Sequence, residues 1–325
     1  MLTLDDIRAM ALALGFARVA ATDASPTDAP PPNAHPQALS LATDPRAVLP
    51  EAQSVLLLVM PYTPYRARPG EAEVDAYYIA SNTAHENARR LAEEIAATGA
   101  KAVMTSSLRT KPLAVRAGLG RVGRNGLVAI GEWGTRASLQ VIVTDLPLPT
   151  ERAPGFLLDE RCAGCHLCEN ACPAGALRGD GSIDIERCVR AQPENVPLPE
   201  SMRPMTGRSV LGCDICQRCC PRNARVGEAE APPALSEALD LHRLLGGDYK
   251  GLVPWLGKNN ARRLRLLNRA ALAAANEGRR DLLPRIEALR LEPDPLGEHA
   301  AWSANRLKSR EEAQQERKSP DGASG

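Results

Sequence analysis

The sequence predicts a mixed chain, α/β or α+β, built from three parts. Up to about residue 150, strand-like apolar runs alternate with helix-like segments, the pattern of an α/β domain. All nine cysteines fall between Cys162 and Cys220, which predicts a separate metal-binding module over 151–228. Residues 235–310 carry helix-like runs only. Residues 311–325 are charged and poor in apolar side chains, which predicts a disordered tail.

Charge and hydropathy narrow the class of protein. The 325 residues include 40 Lys plus Arg and 39 Asp plus Glu, so no global charge excess indicates a nucleic-acid or membrane partner. No apolar run approaches the ~20 residues of a membrane helix. Acidic residues stand where a signal peptide would carry basic ones. We therefore expect a cytoplasmic protein without a membrane partner.

Helices and strands can be assigned along the first 150 residues. Apolar residues near helical spacing predict a helix over 2–20, and the proline-rich stretch 23–36 predicts a loop. The apolar run VLLLV at 55–59 is typical of a strand covered on both faces, as in parallel sheets. A long helix is predicted over 74–99. Further strands are predicted at 102–106, 127–130 and 138–146.

The first four cysteines have the spacing of an iron–sulfur motif. The pattern C-x2-C-x2-C-x3-C-P, known from bacterial ferredoxins, is matched by Cys162, Cys165, Cys168, Cys172 and Pro173. Three thiolates at equal intervals can reach three irons of one cubane, while the fourth points to a neighbouring cluster. Zinc sites need only C-x2-C pairs, so the third cysteine favours a [4Fe–4S] cluster over zinc.

The remaining cysteines predict a second cluster with a crossed ligand set. If Cys220-Pro221 mirrors Cys172-Pro173, each cluster takes its fourth ligand from the other run. The first set is then Cys162, Cys165, Cys168 and Cys220, and the second is Cys172, Cys188, Cys213 and Cys216. Cys219 is left over. The alternative is one cluster together with structural cysteines.

A glycine-rich loop follows the predicted helix at 111–117. Gly118, Gly120 and Gly123 match G-x-G-x-x-G, but a dinucleotide fingerprint follows a strand and opens a helix, which is the reverse of the order here. Three glycines in this short loop still predict a close approach of the backbone to something bulky. That neighbour is either a cofactor or another segment of the chain.

Four segments together resemble the epoxyqueuosine reductases: AGLGRVGRNGL at 117–127, GEWGTRASLQVIVTDLPL at 131–148, the first cysteine run, and GCDICQRCCPRN at 212–223. That family carries cobalamin and two [4Fe–4S] clusters, reduces epoxyqueuosine in tRNA, and shares its core with the reductive dehalogenases. The resemblance implies an α/β cobalamin-binding-type domain over 1–150, a ferredoxin-like double [4Fe–4S] module and HEAT-like C-terminal helices.

The resemblance also implies cofactor residues and partners. The residues expected to bind cobalamin are Gly118, Gly120, Gly123, Arg124, Asn125, Gly134 and Thr135. Flavodoxin or ferredoxin is the expected electron donor to a monomeric enzyme. The implied macromolecular partner is tRNA, whose phosphates could meet the arginine-rich helix that contains Arg262, Arg263, Arg265 and Arg269.

One family feature is missing. Family members that reduce epoxyqueuosine carry an Asp upstream of the glycine loop as proton donor, whereas residues 102–117 contain no acid. Tyr78 and His85, which lie seven residues apart on one predicted helix, are the candidates for that role, with Tyr77 beside them. Arg109 and Lys111 are candidates to stabilise an anion. The alternatives are a cobalamin-dependent reductase of a non-tRNA substrate, and an electron-transfer or corrinoid-reactivating protein.

Overall fold

The computed structural model describes residues 2–29, 39–150, 153 and 158–318, with backbone alone for 311–318. The chain divides into two compact units, each with buried apolar side chains of its own. Unit 1 comprises Met1–Pro64, Ile79–Cys188 and Asp214–Glu228, and unit 2 comprises Tyr65–Tyr78, Val189–Cys213 and Ala229–Gly325.

The described residues form the following elements, beside several single-turn 3-10 helices. The helices are α1 (Leu4–Ala13), α2 (Ala76–Ala96), α3 (Thr110–Arg116), α4 (Leu167–Ala171), α5 (Ile215–Arg218), α6 (Pro233–Ala238), α7 (Leu241–Leu245), α8 (Val253–Leu256), α9 (Arg263–Glu277), α10 (Leu283–Leu289) and α11 (Leu296–Lys318). The strands are β1 (Arg18–Asp23), β2 (Ser54–Pro61), β3 (Tyr65–Arg66), β4 (Glu73–Val74), β5 (Ala102–Thr105), β6 (Arg121–Val122), β7 (Val128–Ala129), β8 (Ala137–Thr144), β9 (Ser209–Leu211) and β10 (Ala229–Glu230).

A four-stranded sheet in the order β1-β2-β8-β5 lies in unit 1, and each neighbouring pair is antiparallel. Strand β2 is buried on both faces, as the run at 55–59 predicts. Leu56 and Leu58 pack with side chains of α1 and α2, whereas Leu57 packs with side chains of α3. The arrangement is therefore α+β. The α/β domain expected for 1–150 is therefore corrected to an antiparallel sheet with helices on both faces, which bury its central strand as fully as a parallel sheet would.

The N-terminal helix is shorter than the predicted span 2–20. It begins after Thr3, which forms a capping box with Asp6, and it ends at Ala13. Gly15 then takes a φ of 84°, and the following residues form β1 instead of a further helical turn. Pairing of β1 with β2 buries Val19 and Ala21, so the gain from tertiary packing overrides the helix propensity of alanine.

Unit 2 contains the C-terminal helices. Helix α9 packs against α7, α11 and β9, and α10 packs against α11. Buried side chains such as Leu266, Ala270 and Ala274 form the packed face of α9. Helix α11 ends at Lys318, so residues 311–318 of the predicted disordered tail are helical. Residues 319–325 of that tail lie outside the described residues, and so do residues 30–36 of the predicted proline-rich loop.

The helices of the described ranges lack the length and hydropathy of a membrane span: every one of them is too short or too polar to cross a bilayer.

Candidate iron–sulfur site

A cavity in unit 1 is lined by four of the cysteines. Its walls include Cys162, Cys165, Cys168 and Cys220, the same four residues as the first predicted ligand set. The volume of this cavity is about 20 Å³. Cys220 is remote in sequence from the other three, so tertiary folding brings it to them.

The first three cysteines lie on a tight loop and a short helix. Asp159 caps a single helical turn, Glu160–Cys162, by accepting a hydrogen bond from the backbone N–H of Arg161. Gly164 then adopts a φ of 69°, where no atom lies close enough to obstruct a side chain, so its role is to turn the backbone. The chain next enters α4, which carries Cys168.

A network around Asn223 places Cys220. The backbone N–H of Thr135 donates to Asn223 Oδ1 over 2.8 Å, and Asn223 Nδ2 donates to the carbonyl of Gln217 over 2.8 Å. Gly134 has a φ of 54°, and a Cβ there would lie 2.2 Å from Asn223 Oδ1. The turn before β8 is thus locked to the 3-10 turn that follows Cys220.

Two arginines line the same cavity. Arg124 forms an ion pair with Glu169 and donates to the carbonyl of Cys162 over 3.4 Å, whereas Arg222 lies 3.3 Å from Asp159. Hydrogen bonding to Arg124 lowers the pKa of the Glu169 carboxyl, with a smaller contribution from His166. Cations at this position favour thiolates and an anionic cluster in the cavity.

The thiols of Cys168 and Cys220 are protonated at neutral pH when no metal is bound. Burial, with a smaller contribution from neighbouring thiols that include Cys219, raises the pKa of each to about 11. Only the thiolate binds iron, so cluster assembly here displaces protons. Cys219 is placed differently, since its Sγ lies 3.5 Å from the carbonyl of Leu167 and it is not among the described lining of the cavity.

The second predicted set is distributed along the same module. Cys172, Cys188 and Cys216 are half-buried residues of unit 1, whereas Cys213, also half-buried, belongs to unit 2. The Sγ of Cys172 accepts a hydrogen bond from the backbone N–H of Ala176 over 3.3 Å. In the described part of the chain, no three His, Cys, Asp or Glu side chains converge on a single metal-ion position. A cubane instead separates its thiolates onto different irons.

The glycine loop packs against its own chain. Gly118 has a φ of 69° and terminates α3, as the Leu119 N–H bonds to the Ala114 carbonyl over 3.0 Å. A Cβ on Gly120 would lie 2.0 Å from the carbonyl oxygen of Ala129. A Cβ on Gly123 would come within 3.7 Å of Cys162 Sγ. For Gly120 and Gly123, neighbouring segments of the chain therefore account for the close approach that the sequence predicts.

The next loop residue, Asn125, is 3% exposed and lines the cysteine cavity. Its Oδ1 accepts from the backbone N–H of Leu127 over 3.2 Å, whereas its Nδ2 has no hydrogen-bond partner in the described structure. A buried amide without a partner is costly. Asn125 Nδ2 can therefore donate to a group bound in this cavity, such as a cluster sulfur.

The predicted catalytic residues have different surroundings. Tyr78 belongs to unit 2, where the Cζ of Arg190 lies 5.2 Å from its ring centroid and 4.8 Å from that of Tyr77. His85 belongs to unit 1 and is exposed on α2. The two predicted anion-stabilising residues bind backbone: Lys111 Nζ donates to the carbonyl of Gly126 over 2.6 Å, and Arg109 donates to the carbonyl of Asp28.

Sequence reasoning missed the polar residues that hold the module together. Glu169 follows Cys168 directly, Asp214 follows Cys213, and Asp159 stands three residues before Cys162. Each pairs with an arginine in the structure. The signal in the sequence that could have found them is an acidic residue adjacent to or near a cysteine of the motif.

Comparison with known proteins supports this site. Residues 161–223 match the family model of the 4Fe-4S double cluster binding domain. The epoxyqueuosine reductase of Lactococcus garvieae is 29% identical over 64% of this chain and 61% of its own length, and that of Escherichia coli K12 is 27% identical over 59% and 52%. The matched region thus spans about half to three fifths of these relatives.

Solved structures have the same fold. An epoxyqueuosine reductase bound to an epoxyqueuosine-modified tRNA-Tyr stem loop superposes with a TM-score of 0.76, at 21% identity, over 98% of this chain and 94% of that one. The enzyme of Streptococcus thermophilus gives a TM-score of 0.75 at 19% identity, over 98% and 95%. The chain therefore has the fold of the epoxyqueuosine reductases, and its residues 161–223 match a double [4Fe–4S] cluster binding domain.

Proposed function

We propose that this protein is an iron–sulfur oxidoreductase that reduces epoxyqueuosine in tRNA. The observation that carries the proposal is the cavity lined by Cys162, Cys165, Cys168 and Cys220, in a chain with the fold of the epoxyqueuosine reductases. The modified stem loop bound to one of those enzymes supports tRNA as the substrate here.

Two [4Fe–4S] clusters are the proposed electron carriers, and they would supply one-electron transfer when bound. We assign Cys162, Cys165, Cys168 and Cys220 to the first and Cys172, Cys188, Cys213 and Cys216 to the second. Arg124 and Arg222 offset the negative charge of the first, and Asn125 Nδ2 donates to it. Thiol ligands of this kind need a reducing compartment, which supports a cytoplasmic location. Flavodoxin or ferredoxin is the proposed electron donor, and the enzyme is proposed to act as a monomer.

Cobalamin is the proposed second cofactor, and the sequence similarity to the epoxyqueuosine reductases supports it. The residues predicted to bind it, in the glycine loop and in the turn at Gly134 and Thr135, pack against neighbouring segments or line the cysteine cavity, so the proposal rests on the sequence similarity and not on their geometry. Anaerobic titration of the reconstituted protein with cobalamin tests the assignment. A shift in the corrin spectrum together with a higher melting temperature is expected, and the absence of both would exclude cobalamin binding.

Tyr78 and His85 are the proposed proton donors, since residues 102–117 contain no acid. Epoxide opening needs a proton on the leaving oxygen. A phenol beside the Arg190 guanidinium, and an exposed imidazole, are groups of the right chemistry. We expect Tyr78→Phe or His85→Phe, whichever residue acts, to abolish turnover while iron content and cobalamin binding stay unchanged.

The deciding experiment is complementation. The gene is expressed in a bacterial strain that lacks its own epoxyqueuosine reductase, and queuosine in tRNA is measured by mass spectrometry. Restoration of queuosine supports the proposal, with a Cys162→Ser variant as the inactive control. No restoration by a protein carrying both cofactors would refute it.

The missing acid also favours two other candidates. The first is a cobalamin-dependent reductase of a non-tRNA substrate, and the second is an electron-transfer or corrinoid-reactivating protein. Reduction of a bound corrin without turnover of modified tRNA would favour the second.

A further inference from the structure

A second cavity, of about 350 Å³, lies entirely within unit 2. That volume is in the range of small-molecule sites. Four segments form its wall: the start of α2 with Tyr78, residues 189–195, residues 206–212, and the helix α9. Neither the cluster cysteines nor the glycine loop is part of its described lining.

Three arginines line this cavity, namely Arg190, Arg265 and Arg269. Arg190 lies 3.6 Å from the Asp75 carboxylate. Arg265 forms an ion pair with Glu194 and donates to Asn260 Oδ1 over 2.7 Å. Two of the three guanidinium groups thus have a carboxylate partner.

The third arginine is different. Arg269 is half-buried, and among the described residues it has no hydrogen bond or ion pair. Burial lowers its pKa to about 10, and no carboxylate offsets that effect, so the side chain is still a cation at neutral pH. The nearby His299 adds no positive charge at neutral pH, because burial, together with two nearby arginines, lowers its pKa to about 4.

The other arginines of this run have carboxylate partners. Ion pairs join Arg262 and Arg265 to Glu194, and Arg263 to Glu292. Arg262 and Arg265 share one carboxylate, whereas Arg269 has none among the described residues. An anion that enters the cavity would therefore pair with Arg269 without displacing a carboxylate.

We propose that this cavity is a phosphate-binding site in which Arg269 is the principal ligand, with Arg190 and Arg265 beside it. Guanidinium groups bind phosphate through two parallel hydrogen bonds, which explains three arginines around one cavity. The phosphate would belong to a free nucleotide or to one nucleotide of an RNA strand. Tyr78, one of the proposed proton donors, also lines this cavity, but phosphate binding is measured without turnover, so the two proposals can fail separately.

The experiment uses the full chain with its clusters reconstituted. Its melting temperature is measured in potassium phosphate, in adenosine 5′-monophosphate and in potassium chloride at equal ionic strength, and dissociation constants are measured by calorimetry. We expect phosphate and the nucleotide to raise the melting temperature above the chloride value. Equal melting temperatures in all three salts would overturn the proposal, and this comparison needs no variant.

Variants then locate the site. Arg269→Gln is expected to weaken phosphate binding by about tenfold or more, as loss of a charge-assisted hydrogen bond predicts. Arg263→Gln, on the same helix but outside the cavity lining, is the matched control and should bind as the wild type does. Arg269→Lys should restore part of the affinity. Wild-type affinity in Arg269→Gln would contradict the assignment.

A short RNA stem loop distinguishes the two sources of phosphate. If the stem loop competes with adenosine 5′-monophosphate and its binding also depends on Arg269, the cavity takes a phosphate of an RNA strand. If the nucleotide binds and the stem loop does not displace it, the cavity takes a small phosphorylated molecule. A stem loop that binds equally well to the wild type and to Arg269→Gln uses another surface, which excludes RNA as the source.

Discussion

Arg136 donates a hydrogen bond of 3.0 Å to the Asp214 carboxylate, and both side chains are nearly fully buried, at 2% and 9% exposure. Arg136 lies in the turn that leads into β8, whereas Asp214 directly precedes α5, which contains Cys216. The other oxygen of Asp214 accepts from Arg218 Nε over 2.8 Å. This buried pair therefore connects the sheet of unit 1 to the second cysteine run.

Loss of Arg136 should destabilise the protein. In Arg136→Met the carboxylate of Asp214 keeps only Arg218, and breaking a buried ion pair of this kind costs about 3 kcal/mol. Urea unfolding of the full chain measures the effect. The control is Arg89→Met, which removes exposed ion pairs with Glu86 and Glu93 and should have a clearly smaller effect. Equal effects of the two substitutions would contradict the proposed role of the buried pair.

Cys219 and Cys220 are neighbours that should respond differently to replacement by serine. Cys220→Ser removes a wall of the cysteine cavity and should reduce the iron content after reconstitution from about eight to about four atoms per chain. Cys219→Ser should leave it at about eight. Iron analysis with the electron paramagnetic resonance spectrum measures both. Iron loss in Cys219→Ser with none in Cys220→Ser would reverse the assignment.

Substitutions of Gly134 and Gly131 by alanine distinguish the effect of steric contact from the effect of backbone strain. Both glycines have positive φ, at 54° and 47°, but a Cβ on Gly131 would meet no atom within 4 Å. Gly131→Ala should therefore cost ~1 kcal/mol, from backbone conformation alone. Gly134→Ala should cost clearly more, and it should also lower iron content, because the new methyl group would displace Asn223. Equal melting temperatures and equal iron content in the two variants would argue against this contact.

Buried His299 should make unit 2 sensitive to acid. Its Nε2 accepts from the backbone N–H of Leu198 over 2.7 Å, and its Nδ1 bonds to Asn268, so the neutral ring satisfies both nitrogens. Its side chain is 1% exposed, and burial lowers its pKa to about 4. The unfolded chain takes up this proton near pH 6.5. Stability should therefore fall by about 3 kcal/mol as the pH drops from 6.5 to 4.

The variant His299→Gln lacks the imidazole that takes up this proton, so its unfolding free energy should change less over the same pH interval. His85→Gln, which replaces an exposed histidine, should keep the wild-type dependence. Unfolding in urea at a series of pH values measures all three proteins. The same steep pH dependence in His299→Gln would assign it to other groups.

The sequence predicted local features well. The strands at β2, β5 and β8 and the long helix α2 follow from apolar runs and periodicity, which depend on neighbours in the chain. Prediction from the sequence failed where a segment pairs with residues that are remote in the chain. Residues 18–20 end the predicted helix 2–20 but belong to strand β1, because β2 offers them a pairing edge. The same remote pairing makes the sheet antiparallel, which no local pattern predicts.

The sequence by itself determined the cluster chemistry, because cysteine spacing sets which thiolates can reach one cubane. Only the tertiary structure decided which atoms meet. It placed Cys220 beside the first run, put the glycine loop against its own chain, and paired every arginine around the second cavity with a described carboxylate except Arg269. The physical reason is that pairing energies depend on distance and burial in space, and a sequence records only the order along the chain.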